Sequence, residues 1–118
     1  PNRPLIADGE YEPNEAHVLR LAREKLLDVA LMDVLDYGVT AWRRVMPALA
    51  ATGAQGSPHA WGLPLKTLYA AHIAVGLGNV DTVEGVPGST LGVDNQGYTL
   101  ENGNIHLSDR PGYGLDLL

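Results

Sequence analysis

The sequence contains no cysteine, which excludes a disulfide framework and suits a cytosolic protein. Basic residues are few: eight Lys and Arg stand against fourteen Asp and Glu, giving a net charge of −6 and a sequence pI near 5.0. Without a basic cluster, nucleic acid and anionic membrane are excluded as expected partners. No apolar run approaches the roughly 18 residues that a membrane-spanning helix needs. The N-terminus lacks the charged and apolar regions of a secretory leader. Nor is there a low-complexity tract. These absences leave the expectation of a soluble, cytoplasmic α/β protein.

What is present is a spacing. Glu10, Asp33, His59 and Glu84 lie about 25 residues apart, each at or near the end of a short apolar run. Segments with helical patterning lie between them. A repeat of strand, polar tip and helix is the grammar of a (β/α) barrel, whose catalytic groups crown the C-terminal ends of successive strands. A complete barrel of this kind takes roughly 250 residues, whereas the 118 residues here hold four such steps. Four strands cannot close a cylinder and would leave two sheet edges open. The expectation is therefore the C-terminal half of a longer chain, or one of several assembling pieces. A first residue of Pro1 rather than Met fits a trimmed segment.

The spacing of apolar residues predicts a strand over Pro4 to Ala7, ending in the turn-prone Asp8-Gly9. A helix beginning near Pro13 or Asn14 places Val18, Ala22 and Leu26 on one stripe. A second strand spans Leu31 to Leu35. Gly38 turns the chain, Thr40 is the expected N-cap of a helix bearing Trp42, Val45 and Leu49, and Gly53 is its stop. Pro47 should kink or interrupt that helix. A third strand ends at Ser57-Pro58-His59, and Pro64 opens a helix through Leu65, Leu68, Ala71, Ile73 and Leu77, with Gly76 and Gly78 closing it. Val80 to Val83 is the fourth expected strand, followed by a loop rich in Gly and Pro through Asp94. Tyr98 to Leu107 reads as a hairpin around Asn102-Gly103. The tail from Arg110 to Leu118 is short and turn-rich.

Taken singly, each polar tip has a bland reading. Glu10 could be a solvated turn residue, or a rim carboxylate offering oxygen to a hard cation. Asp28 and Asp33 could cap the two ends of one strand. A lone His59 could be a hydrogen-bonded structural residue. With Asp33 and His59 on adjacent strand ends the reading changes. The carboxylate would fix the imidazole tautomer and make the ring a better base, as proton transfer requires. Glu84 would complete a mixed acid and base rim. Ser57 and Trp61, flanking His59, are candidate substrate contacts, although Trp61 could equally be a packing residue. Ser57 lacks the Gly-x-Ser-x-Gly elbow of a hydrolase nucleophile. Gly76-Leu77-Gly78 ends a helix instead of opening one, so it is no dinucleotide fingerprint. His17, His59, His72 and His106 have no zinc-like spacing. His17 reads as a helix-surface residue, His72 as helix packing and His106 as part of the hairpin.

Taken together, these segments resemble the enolase superfamily, in particular its mandelate racemase/muconate lactonizing enzyme-like branch with its many acid-sugar dehydratases. The resemblance rests on Ala7-Asp-Gly-Glu10, on Asp28-Val-Ala-Leu-Met-Asp33 leading to Gly38-Val-Thr, and on Ser57-Pro-His59-Ala-Trp-Gly62. It continues through Ala71-His-Ile-Ala-Val-Gly-Leu-Gly-Asn79, Val83-Glu84-Gly-Val-Pro87 and Asp109-Arg-Pro-Gly-Tyr-Gly-Leu-Asp116. It implies a modified TIM barrel of the (β/α)7β form with a separate capping domain. Residues 1–95 would supply about strands 5 to 8, and residues 96–118 a hairpin and tail packed near that cap. By the same resemblance Glu10 is one of three carboxylate ligands to Mg²⁺, Asp33 and His59 form an acid–base dyad, and Glu84 lies near the substrate carboxylate or the developing enolate. The implied reaction is Mg²⁺-dependent abstraction of a proton α to a carboxylate, in a lyase dehydrating a sugar acid or in a racemase or epimerase. The implied partners are a small carboxylate substrate, the N-terminal half of the barrel with the capping domain, and further copies in a homo-oligomer.

Two departures limit the implication. The other two metal ligands and the Lys-x-Lys base motif are absent, since Lys25 and Lys66 are the only lysines. A single Gly38 stands where a glycine pair is common, which leaves Asp36 as a competitor of Asp33. By itself the chain is expected to be inactive, because one carboxylate does not make a Mg²⁺ site. The contrasting expectation is a non-catalytic scaffold that keeps the barrel fragment as a surface.

Overall fold

The computed structural model describes residues 3–11, 14–95 and 97–118. Pro13, the alternative helix start, and Gln96, at the expected domain boundary, lie outside these residues. Strands and helices alternate: β1 (Ala7–Asp8), α1 (Glu15–Arg23), β2 (Val29–Ala30), α2 (Val39–Thr52), β3 (Gln55–Gly56) and α3 (Pro64–Leu77). The three strands form one parallel sheet in the order β1-β2-β3. Parallel neighbours require helical crossovers, which α1 and α2 supply. The chain is thus a mixed α/β fold.

Each helix starts and stops for a local reason. Asn14 caps α1 through its side-chain oxygen, which accepts from the His17 amide at 3.0 Å. The second helix begins earlier than expected. Its N-cap is Gly38, at a φ of 86° that favours glycine, and Thr40 sits inside the first turn. Gly53, in the left-handed region at φ 79°, ends it as expected. The helix runs through Pro47 without a break. The carbonyl of Arg43, deprived of its usual donor, lies on the exposed face beside Pro47. Pro64 opens α3 and Gly78 caps it, while Gly76 stays helical.

The core lies between the sheet and α1 and α2. It contains Val18 and Ala22 of α1, Ala30 of β2, which ends before the expected span of Leu31 to Leu35, Met32 just beyond it, and Trp42, Val45, Met46 and Leu49 of α2. Leu26, expected on the buried stripe, is instead exposed and Leu27 is buried. The cause is the backbone: α1 has ended at Arg23, and Lys25 at φ 59° turns the chain, so helical spacing no longer decides which leucine faces inward. Gly56 is the price of close packing under the sheet, since a Cβ there would stand 2.7 Å from Met46 Cε and 2.8 Å from the Trp42 ring.

The expected strand at Val80 to Val83 does not form a ladder. Asn79, at φ 58°, turns the chain out of register at its start. The segment is tied to β3 by one backbone bond, Gly56 N–H to the Asn79 carbonyl at 3.0 Å, and otherwise by side chains. Ser57 Oγ donates to the Thr82 carbonyl at 2.9 Å, and Gln55 donates to Asp81. Further on, the hairpin appears as expected, β5 (Tyr98–Glu101) pairing antiparallel with β6 (Asn104–Leu107). Asn102 and Gly103 at φ 50° and 77° give its type I′ turn. Two short strands are additional to the expectation. β4 (Val93–Asn95) pairs with β7 (Asp116–Leu117) and so fastens the tail back to the preceding loop. Tyr113 packs edge-on against Tyr69 and His72 of α3, each at a centroid distance of 4.9 Å. No helix among the described residues is long and apolar enough to cross a membrane.

Candidate functional site

The register of the parallel sheet brings the sequence-predicted residues together. Val29 pairs with Gln55 and Ala30 with Gly56, and the same offset returns beyond the strands, where Asp33 pairs with His59. The intervening bonds are Ser57 N–H to Ala30 O at 2.9 Å, His59 N–H to Met32 O at 3.2 Å and Val34 N–H to His59 O at 3.0 Å. Side chains in register on parallel neighbours point to the same side. Asp33 Oδ2 therefore lies 3.2 Å from His59 Nδ1. The other ring nitrogen, Nε2, lies 3.5 Å from Glu10 Oε1 and 3.4 Å from Glu84 Oε2. The four polar tips form one cluster.

Asp33 is buried, and its two oxygens have different partners. Oδ1 accepts from the amides of Leu35 at 2.8 Å and Asp36 at 3.3 Å, while Oδ2 faces His59 and also accepts from Lys66 Nζ. Burial, the largest single influence, pushes its pKa up. Lys66, the Leu35 amide, His59 and the Asp36 amide together outweigh burial and hold the carboxyl down at about 2. Asp36, the competing acid, is exposed and contributes its amide to Asp33. The ionised Asp33 should stabilise the fold at every pH above its unfolded value of about 3.9. That contribution, of order 2 kcal/mol, should be lost as pH falls from about 4 through about 2. Denaturant midpoints of the full-length protein across this window should show the loss, and Asp33→Asn should flatten it. An unchanged slope in the variant would mean that Asp33 does not carry this charge.

The remaining residues are held more loosely. Glu84 Oε2 accepts from the Ala60 amide at 3.0 Å, so it reaches the cluster through this tie and not from the end of a strand ladder. Glu10 is half-exposed and accepts a hydrogen bond from the phenol of Tyr11, which, with the carboxylate charge behind it, raises the Tyr11 pKa. Trp61 is exposed beside His59, and the Ser57 hydroxyl is engaged as a hydrogen-bond donor to the Thr82 carbonyl. At the far end of the second strand, Asp28 is structural: it binds the Arg3 guanidinium through both oxygens, at 2.6 and 2.8 Å, and accepts the Ile6 amide. The two acids flanking that strand thus have different tasks.

Lys66 is the residue that sequence reasoning passed over as a helix position. The overlooked signal was its place three residues into the helix that follows the His59 strand end. In a strand–helix unit the first turn of the helix lies at the same end as the strand's C-terminus, so a long side chain there reaches the rim.

Among the described residues no group of three or more His, Asp or Glu has the arrangement of a complete metal site. Glu10, a carboxylate at the rim with oxygen to offer, has the chemistry of a single ligand to a hard cation such as Mg²⁺.

A galacturonate dehydratase from a Geobacillus species, solved with D-galacturonate and 5-keto-4-deoxy-D-galacturonate, matches 98% of this chain at 30% identity with a TM-score of 0.81. A mandelate racemase/muconate lactonizing protein from Geobacillus sp. Y412MC10, solved with magnesium and tartrate, matches 96% at 31% identity with a TM-score of 0.79. An enolase from Pantoea ananatis with bound D-gluconate and Mg shares the fold over 99% of the chain, at 20% identity and a TM-score of 0.86. The chain spans 31%, 29% and 29% of these three proteins, respectively. No protein of curated function matches significantly. The family model described as enolase C-terminal domain-like matches residues 3–118. The chain belongs to the enolase C-terminal domain-like family.

Proposed function

We propose that the chain is the C-terminal part, about strands 5 to 8, of a (β/α)7β barrel enzyme that removes a proton α to a carboxylate and dehydrates a sugar acid. In this reading residues 1–95 belong to the barrel, and residues 96–118 form a hairpin and tail beside a capping domain. The observation that carries it is the His59 ring, with Asp33 on Nδ1 and its Nε2 turned toward two further carboxylates, Glu10 beyond the end of β1 and Glu84 tied in through the Ala60 amide.

His59 Nε2 takes the α-proton, and the electron pair of the broken C–H bond moves into the substrate carboxylate as an ene-diolate. Asp33, a pure acceptor, holds the Nδ1 proton in place, which leaves the Nε2 lone pair free for this step. The protonated ring then gives its proton to the departing β-hydroxyl, which leaves as water, and the resulting enol becomes a keto acid. Glu10 and Glu84 stand at charge-pair distance from Nε2 once it carries the proton. Glu10 would be one ligand of a bound Mg²⁺, which supplies positive charge beside the substrate carboxylate as negative charge develops there. Trp61 and Ser57 would border the substrate.

The alternative within the same chemistry is a racemase or epimerase, which needs a second base on the opposite face of the substrate, and an earlier strand of the barrel would decide between the two. The test is α-proton exchange in D₂O and keto-acid formation by the full-length protein with Mg²⁺, using D-galacturonate, D-gluconate and tartrate. Exchange with keto-acid formation is the expected result, and exchange with inversion alone would favour a racemase. Glu10→Gln should weaken Mg²⁺ binding about 10- to 100-fold by calorimetry. Unaltered Mg²⁺ affinity would remove Glu10 from the ligand set.

A further inference from the structure

Lys66 occupies a position that local preferences oppose. It lies in the first turn of α3, where the helix dipole disfavours a cation, and its side chain is only 11% exposed. A buried ammonium must be paired, and its partner is Asp33 Oδ2, the same oxygen that faces His59. The other oxygen of Asp33 is already taken by two backbone amides. The carboxylate is therefore fixed from three directions, and Lys66 supplies the one that acts on the oxygen turned to the ring. Long cationic side chains on a helix ordinarily extend to solvent, and this one turns inward.

We propose that Lys66 is a positioning residue of the proton transfer, which locks Asp33 Oδ2 against His59 Nδ1 so that the ring is held in a single orientation and tautomer. The inference rests on the reading of His59 as the base. Lys66 does not touch the reacting atoms. It keeps the Asp33 oxygen charged and stationary, so that the Nδ1 proton has one place to go and Nε2 keeps its lone pair on the substrate side. Without the ammonium, Oδ2 would lose its cationic partner, and only the two amides on Oδ1 would still restrain the carboxylate. The ring would then sample both tautomers.

The experiment uses the full-length protein with Mg²⁺ and the same three acids, and compares Lys66→Met, Lys66→Arg and His59→Asn. Turnover is measured, and in parallel the His59 ring nitrogens are followed by ¹⁵N NMR, with His59→Asn providing the assignment. Lys66→Met should lower kcat about 10- to 100-fold with KM changed less than about threefold, and should replace the single Nδ1–H signature by averaged tautomers. Lys66→Arg, which keeps a cation at the same point, should restore most of kcat and the ring signature. The proposal is overturned if Lys66→Met leaves the ring spectrum unchanged, or if its only effect is a lower Tm with kcat preserved. It is equally overturned if Lys66→Arg is as impaired as Lys66→Met. Full activity of His59→Asn would instead remove His59 as the base, and the ring spectrum would still decide whether Lys66 orients it.

Discussion

Asparagine in place of His59 should reduce turnover by the full-length protein about 10²- to 10⁴-fold and reduce α-proton exchange to the same degree. The choice of substituent makes the result interpretable. The Asn amide can still donate to Asp33 Oδ2, so the hydrogen bond that the imidazole makes has a substitute, but no nitrogen remains that takes a proton at neutral pH. Folding should change little, because the His59 backbone bonds to Met32 and Val34 are unaffected by the substitution. Loss of both dehydration and exchange, with KM nearly constant, would identify an interaction made in the transition state. Survival of both would mean that the base lies on another part of the protein.

The second large effect concerns stability. Trp42→Ala should destabilise the full-length protein by about 3–5 kcal/mol, read from denaturant midpoints. Trp42 is fully buried, packs edge-on against Tyr37 at 5.8 Å, and meets the backbone of β3 where Gly56 leaves room for its ring. A loss below about 1 kcal/mol would show that the α2 packing described here is not what holds the sheet.

Much of the site was legible in the sequence because parallel strands translate sequence spacing into adjacency. Once Asp33 and His59 are placed at equivalent points of consecutive strand–helix units, their contact follows from register. Glu10 needed only the same argument. Glu84 was found at the right place by a partly wrong route: the expected strand before it is not a ladder, because Asn79 turns the chain and side-chain ties replace backbone pairing. Lys66 was not found, since helical patterning tells which face a residue occupies but not how far a flexible side chain reaches beyond its own element. Leu26 and Leu27 show the same limit at α1, where a left-handed Lys25 decides which leucine is buried. The β4–β7 pairing was invisible for a different reason. Two- and three-residue strands lack a period, and their pairing is set by where the chain returns.

The first turn of α3 has one consequence of its own. Lys66 there holds Asp33, and its neighbour Thr67, fully buried, accepts the Val86 amide at 2.9 Å from the loop that follows Glu84. Two consecutive side chains thus hang both flanks of the cluster on one helical turn. A residue inserted or deleted within the first turn of α3, between Pro64 and Lys66, would rotate both anchors about the helix axis by roughly 100° relative to the start of the helix and release the two flanks at once. The same change near Val75 and Gly76, on the exposed far end of α3, would move neither. Tolerance to insertions and deletions along this helix should therefore rise steeply from its start to its end.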